Sequence, residues 1–316
     1  MKRCLLLLTA LLIGCTMTGN VILESKPDVY FCPRENCGQA LYNAMASSTD
    51  SIHCAFYDLD LKGIISILNQ KSRFVDVKVV VDGENYFDSL NKSFVRTDNK
   101  RSALMHNKFC IIDNKIVSTG SFNPTYNDND KNNNNLVIFK SPELARNYEN
   151  EFNEMWNGKF GGGEKTANPV LMLNSTKVET YFCPEDWCTN KILAALSLAN
   201  KSIYFMTFSF TSEPIGDYLV KRHKEGIEIK GIFEKSQESN YSQYSKLKNA
   251  GINVTFDTNK YNMHHKVFII DESIVITGSF NPSKNAETSN DENVMIIHNK
   301  EISQKFVDEF KRLYPQ

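Results

Sequence analysis

His106 and Lys108 stand two residues apart, as do His264 and Lys266, and in each case an aspartate follows, Asp113 and Asp271. The form His-x-Lys-x4-Asp thus occurs twice. An imidazole can attack an electrophile or carry a proton, and an ammonium can neutralise an anion, so a site joining both pairs could cleave a phosphodiester. Such a substrate repels nucleophiles by its own charge. Its two nonbridging oxygens must be held while one group attacks and another protonates the departing oxygen. Two amides could help to hold them, since the runs Gly120-Ser121-Phe122-Asn123 and Gly278-Ser279-Phe280-Asn281 place Asn123 and Asn281 at the same distance beyond the two histidines.

The elements that must position these groups are themselves repeated. Tyr30-Phe31-Cys32-Pro33 returns as Tyr181-Phe182-Cys183-Pro184, displaced by 151, while the His-x-Lys motifs, the Gly-Ser-Phe-Asn runs and Glu151-Phe152 against Glu309-Phe310 share a displacement of 158. Two copies of one unit make up the chain. Within the second copy, β-rich runs at 202–210 and 227–233 flank an amphipathic stretch at 213–224, an α/β pattern. Each unit closes on a helix. In the first, Ser141 and Pro142 suit its cap and first turn, and Leu144, Tyr148, Phe152 and Met155 form its apolar stripe. The expected organisation is a signal peptide at 1–14, a tether at 15–27, lobes at 28–156 and 177–316, and a Gly-rich linker at 157–176 between them. Each lobe is expected to be a mixed sheet flanked by helices.

Side chains two apart on a strand share a face, so each His and Lys project together, and His265 points away as a packing or surface residue. After each motif an apolar run reaches Asp113-Asn114 or Asp271-Glu272, where a two-residue hairpin turn would bring Ser121 opposite His106 and Ser279 opposite His264. Asp113 lies five strand residues beyond Lys108, roughly 17 Å at about 3.3 Å per residue. That distance gives both aspartates a structural role. His53, His223 and His298 lie in core-like or charged runs and are read as core or surface residues.

These paired motifs resemble the signature of the phospholipase D superfamily, His-x-Lys-x4-Asp followed by Gly-[Ser/Thr]-x-Asn, and the resemblance spans nearly the whole chain beyond its first residues. The stretch Tyr261-Asn262-Met263-His264-His265-Lys266 is similar to the small nuclease and mitochondrial cardiolipin hydrolase branch. The resemblance implies one metal-independent active site at a pseudo-twofold seam between two lobes. One histidine would form a phosphohistidine, the other would act as acid and then base, and Lys108, Lys266, Asn123 and Asn281 would hold the phosphoryl oxygens. It also implies a polar residue orienting each imidazole. The repeat offers Glu292 for His264 and Asn134 for His106, which would make His264 the acid and His106 the nucleophile. No cofactor is implied, and with both motifs in one chain a monomer is expected, without an obligate protein partner.

The substrate is less sharply defined. Units near 140 residues leave little sequence to cover acyl chains, which favours a nucleic-acid strand; a phospholipid is the alternative, and a non-catalytic phosphate-binding relative is disfavoured because both motifs are intact. Against nucleic acid stands the charge balance, 36 basic to 37 acidic residues, which gives no wholesale basic surface. Lys2 and Arg3 precede a short apolar run ending in Leu12-Ile13-Gly14-Cys15, similar to the lipobox of bacterial lipoproteins, so export and acylation of Cys15 are expected. An exported chain can form disulfides. Cys32/Cys37 and Cys183/Cys188 are expected to close two local loops, with free thiols or a shared four-cysteine zinc site as alternatives, while Cys54 and Cys110 read as buried free thiols.

Overall fold

The computed structural model describes residues 26–86, 90–98 and 103–315. The expected signal peptide and Cys15 lie outside them. Among the described residues the first lobe contains seven strands, β1 (Asp28–Cys32), β2 (Ser51–Phe56), β3 (Asp76–Val81), β4 (Val95–Thr97), β5 (Lys108–Ile112), β6 (Ile116–Gly120) and β7 (Asn134–Lys140). They form one sheet in the order β1-β7-β6-β5-β2-β3-β4. In the second lobe, β8 (Val170–Leu173), β9 (Thr176–Cys183), β10 (Ser202–Thr207), β11 (Glu228–Phe233), β12 (Asn253–Phe256), β13 (Lys266–Ile270), β14 (Ile274–Gly278) and β15 (Glu292–His298) follow the same plan. Their order is β12-β11-β10-β13-β14-β15-β9-β8. Both sheets are mixed: β2 and β3 run parallel, as do β10 and β11, while β5, β6 and β7 are antiparallel like β13, β14 and β15. The segment 157–176 includes β8, an edge strand that pairs with β9.

Helices α1 (Cys37–Ala46) and α2 (Lys62–Lys71) cover the outer face of the first sheet, burying Leu41, Met45, Ile64 and Leu68 against Ile52 and Val79. The short α3 (Tyr126–Asp130) precedes β7. The closing helix α4 (Pro142–Trp156) is capped by Ser141, whose hydroxyl accepts from the Leu144 amide, and it buries Leu144, Tyr148, Phe152 and Met155. The second lobe repeats this with α5 (Cys188–Leu196), α6 (Glu213–Lys224), α7 (Tyr244–Asn249), α8 (Lys284–Thr288) and α9 (Lys300–Leu313). Another apolar cluster belongs to both lobes at once: Phe109, Tyr148 and Phe152 pack with Phe182, Phe306 and Phe310. The seam is therefore core, and the lobes are fixed face to face.

Three expectations need correction. Cys54 and Cys110 form a disulfide rather than lying as free thiols, because antiparallel β2 and β5 set them directly opposite, with Cα atoms 4.0 Å apart. Across 56 residues of sequence that register is invisible. The expected local loops Cys32–Cys37 and Cys183–Cys188 are present. The hairpin turns hold three residues, not two: Ile112 pairs with Ile116, and Asp113 and Asn114 both take positive φ. That one-residue slip leaves Ser121 in register with Asn107, one short of His106, and Ser279 with His265, one short of His264. The third lies at the histidines, whose backing groups are exchanged between the lobes.

Candidate active site

Both His-x-Lys motifs sit where a strand begins at the seam. Just before β5, Met105 pairs in parallel with Asp291, and just before β13, Met263 pairs with Asn133. The His106 amide donates to the Asp291 carbonyl (3.0 Å) and the His264 amide to the Asn133 carbonyl (2.8 Å). Each motif is thus registered against the residue that precedes Glu292 or Asn134 of the other lobe. The pairing is crossed: His106 Nδ1 meets Glu292 Oε2 at 2.8 Å, and His264 Nδ1 meets Asn134 Oδ1 at 2.9 Å. Sequence reasoning paired each histidine within its own lobe. It failed because the bridges that decide the matter, Met105 with Asp291 and Met263 with Asn133, join residues of different lobes.

Ser121 and Ser279 serve the orienting residues rather than the histidines. Ser279 Oγ donates to Glu292 Oε2 (2.6 Å) and Ser121 Oγ to Asn134 Oδ1 (3.1 Å). The preceding glycine is required there. A Cβ on Gly120, at φ +145°, would collide with the Asn135 carbonyl oxygen, and one on Gly278 with that of Asn293. Lys108 and Lys266 each donate to the carbonyl of their own histidine at 2.7 Å, which curls each ammonium back beside its imidazole. Two aromatic rings wall the site: Tyr57 lies edge-on to His106 and Phe208 to His264, with centroids 4.7 and 4.8 Å apart. Sequence reasoning missed both. They stand at matching positions of the two units, 151 apart, and aligning the ends of β2 and β10 would have exposed them.

Asp113 and Asp271 stand away from this chemistry, as expected. Asp113 accepts the backbone amides of Thr49, Asp50 and Ser51, and Asp271 those of Asn200, Lys201 and Ser202. Each ties its hairpin turn to the start of the neighbouring strand. Burial opposes ionisation, but these amides outweigh it and hold both carboxyls below their ordinary pKa. His265 turns away from Lys266, meeting Asn135 Oδ1 at 3.2 Å and Glu309 at 3.6 Å inside the seam. His53 and His298 pair with Glu149 and Glu179.

The four central groups share one electrostatic field. Burial, then Lys108 and Lys266, push the His106 pKa well below the usual range; burial and then Lys266 bring His264 down to about 4. Burial lowers Lys108 to about 8 and also brings Lys266 well below its ordinary value, the latter reinforced by Lys108. Burial also raises Glu292 to about 8, against the pull of Lys108. Both imidazoles are therefore neutral near pH 7, and their occupied Nδ1 atoms leave Nε2 to face a substrate. Asn281 accepts from the Ser209 amide through Oδ1, which frees its Nδ2 to donate. Two neutral imidazoles, two cations and two amides so gathered can bind a phosphodiester and exchange its ester oxygen for a ring nitrogen.

A family model described as "Cardiolipin synthase, PLD-like domain" matches residues 41–156 and 192–314. The chain belongs to the phospholipase D superfamily. Its two matched stretches fall one in each lobe. A phospholipase D of Rickettsia conorii is 32% identical over 139 residues, 44% of this chain and 70% of that protein. The mitochondrial cardiolipin hydrolase of Mus musculus is 34% identical over 128 residues, 40% of this chain and 58% of its own. A phosphatidylserine synthase of Haemophilus influenzae shares the fold, with TM-score 0.66 and 13% identity over 90% of this chain and 85% of its own. This member of the phospholipase D superfamily is a phosphodiesterase.

Proposed function

We propose that the enzyme hydrolyses single-stranded nucleic acid without a metal, through a phosphohistidine on His264. Lys108, Lys266, Asn123 and Asn281 hold the nonbridging oxygens. Nε2 of His264 attacks phosphorus as the bond to the leaving oxygen breaks, and His106 gives that oxygen its proton. His106 then takes a proton from water, the resulting hydroxide attacks phosphorus, and the N–P bond breaks to restore His264.

One observation favours a nucleic-acid strand over a lipid. Tyr126, three residues past Asn123, is 55% exposed, and Tyr261, three residues before His264, is 39% exposed. Lys131 Nζ lies 4.8 Å from the first ring and 5.4 Å from the second, and Lys260 stacks on Tyr261 at 4.9 Å. Exposed aromatic faces interleaved with ammonium groups suit unpaired bases and the phosphates between them. The local charge also answers the objection raised by the chain's overall balance. A phospholipid remains the second reading, since the rickettsial and murine relatives are named for lipid hydrolysis.

Purified enzyme in excess EDTA, offered single-stranded DNA, RNA, phosphatidylcholine and cardiolipin, is expected to cleave the nucleic acids. Tyr261→Ala should raise KM for an oligonucleotide roughly tenfold, far more than for a p-nitrophenyl phosphodiester. Cleavage confined to the lipids would establish the second reading, and activity lost in chelator and restored by Mg²⁺ would overturn the metal-free mechanism.

The proposal extends to location. Cleavage before Cys15 and acylation of that residue hold the enzyme at a membrane. Intact mass should show a lipid-bearing N-terminal Cys15, and Cys15→Ser should release the protein or leave it unprocessed. An unmodified mature N-terminus elsewhere would end this reading.

A further inference from the structure

The two lobes differ at two positions behind their histidines, and the differences compensate. Where the second lobe has Ala286 and Glu292, the first has Asp128 and Asn134. Each lobe therefore presents one buried acid toward the other lobe's histidine, but from a different place. Glu292 comes from the start of β15 and bonds His106 directly. Asp128 comes from α3, is 3% exposed, and sets Oδ2 at 3.4 Å from Nδ1 of His264, beside the Asn134 oxygen that accepts from the same nitrogen.

We infer that Asp128 is the positioning carboxylate of His264, replacing the one that Asn134 does not supply. Its bonds leave it little freedom to do otherwise. Oδ2 accepts from the backbone amide and the Nδ2 of Asn123 (2.9 and 2.8 Å), and Oδ1 accepts from Asn132 Nδ2 at 2.7 Å. One carboxylate thus fixes the proposed nucleophile and one of the amides proposed to grip the phosphate. Burial works against its charge, but His264 and these donors keep the carboxyl well below its usual range, so it is ionised whenever the enzyme works. When Nε2 bonds to phosphorus, the ring keeps its Nδ1 proton and becomes cationic. Asp128 is the anion beside that new charge.

This inference rests on the proposed attack by His264, and the test separates the two. Rapid quenching with a p-nitrophenyl phosphodiester measures both the rate and the site of phosphoryl transfer. Asp128→Asn, which keeps the shape, should slow formation of the phosphohistidine roughly 10²-fold with a much smaller change in KM. Asp128→Glu, which keeps an ionised carboxylate on α3, should retain at least about tenfold more of that rate than Asp128→Asn. A scaffold role, which depends on shape, would instead favour the isosteric asparagine over the longer glutamate. An unchanged rate in Asp128→Asn with the label still on His264, or Asp128→Glu no faster than Asp128→Asn, would overturn the inference alone. A wild-type label on His106 would overturn both it and the proposed mechanism.

Discussion

His264→Ala is expected to abolish the phosphoryl-enzyme, whereas His106→Ala is expected to form it from a p-nitrophenyl phosphodiester and then fail to release it. This follows from the crossed pairing. His264 faces an amide oxygen, which can only accept, so its Nδ1 keeps its proton and its Nε2 presents a lone pair. His106 faces Glu292, which burial holds protonated up to about pH 8. That pair carries one proton more than the other. The extra proton can sit on the carboxyl or on the ring, and in both arrangements His106 presents N–H at Nε2, where the leaving oxygen needs it. A p-nitrophenolate leaves without that help, so the first step survives in His106→Ala. Turnover in His264→Ala should fall to the background rate, a loss of roughly 10⁴-fold or more. Mass spectrometry after acid-free quenching locates the phosphoryl group, and finding it on His106 in the wild type would refute the assignment.

Replacing Glu292 with glutamine should produce a loss that depends on the leaving group and on pH. For a substrate with an alkyl leaving group the expected fall is roughly 10²- to 10³-fold, and for the p-nitrophenyl ester under about tenfold. Lys108, lowered to about 8 by burial, titrates in the same window, but its deprotonation weakens phosphate binding for both substrates. The ratio of the two rates therefore isolates the proton donor. In the wild type the alkyl rate should drop relative to the p-nitrophenyl rate as pH rises through about 8; in Glu292→Gln the ratio should be flat. Stability should report the same proton. An unfolded glutamate ionises above about 4.5 while the folded one stays protonated to about 8, so between those values the unfolded state binds fewer protons and stability falls with rising pH. Glu292→Gln removes that slope. Its Tm relative to the wild type should therefore be higher at pH 8 than at pH 5, and a constant difference would show that Glu292 ionises normally.

Much of this site was legible because the sequence states it twice. The doubled His-x-Lys, the Gly-Ser-x-Asn runs and the closing helices could be found by comparing one half of the chain with the other, and the matching sheet orders follow from them. The same method is blind to whatever the halves do not share. Asp128 aligns with an alanine of the other half, so nothing in the repeat marks it out. Geometry that depends on packing was also out of reach. The Cys54–Cys110 bond needs the β2–β5 register, and the crossed pairing needs Met105 beside Asp291. The hairpin was misjudged by a single residue, because Asp113 and Asn114 read as a complete two-residue turn while Lys115 still belongs to the loop.

The ladder that lays Met105 along Asp291 and Met263 along Asn133 has a consequence for how such an enzyme can change. Two separate, identical halves meeting at this seam would have to back both imidazoles with the same residue, since any substitution would appear on both sides at once. Joining the halves in one polypeptide lifts that restriction. Each side can then drift independently, and a mutation in one gene segment retunes the histidine of the other. The present chain has taken that freedom, with Glu292 on one side and Asn134 with Asp128 on the other. One chain can therefore hold its two histidines against unlike partners, a glutamate for His106 and an amide for His264.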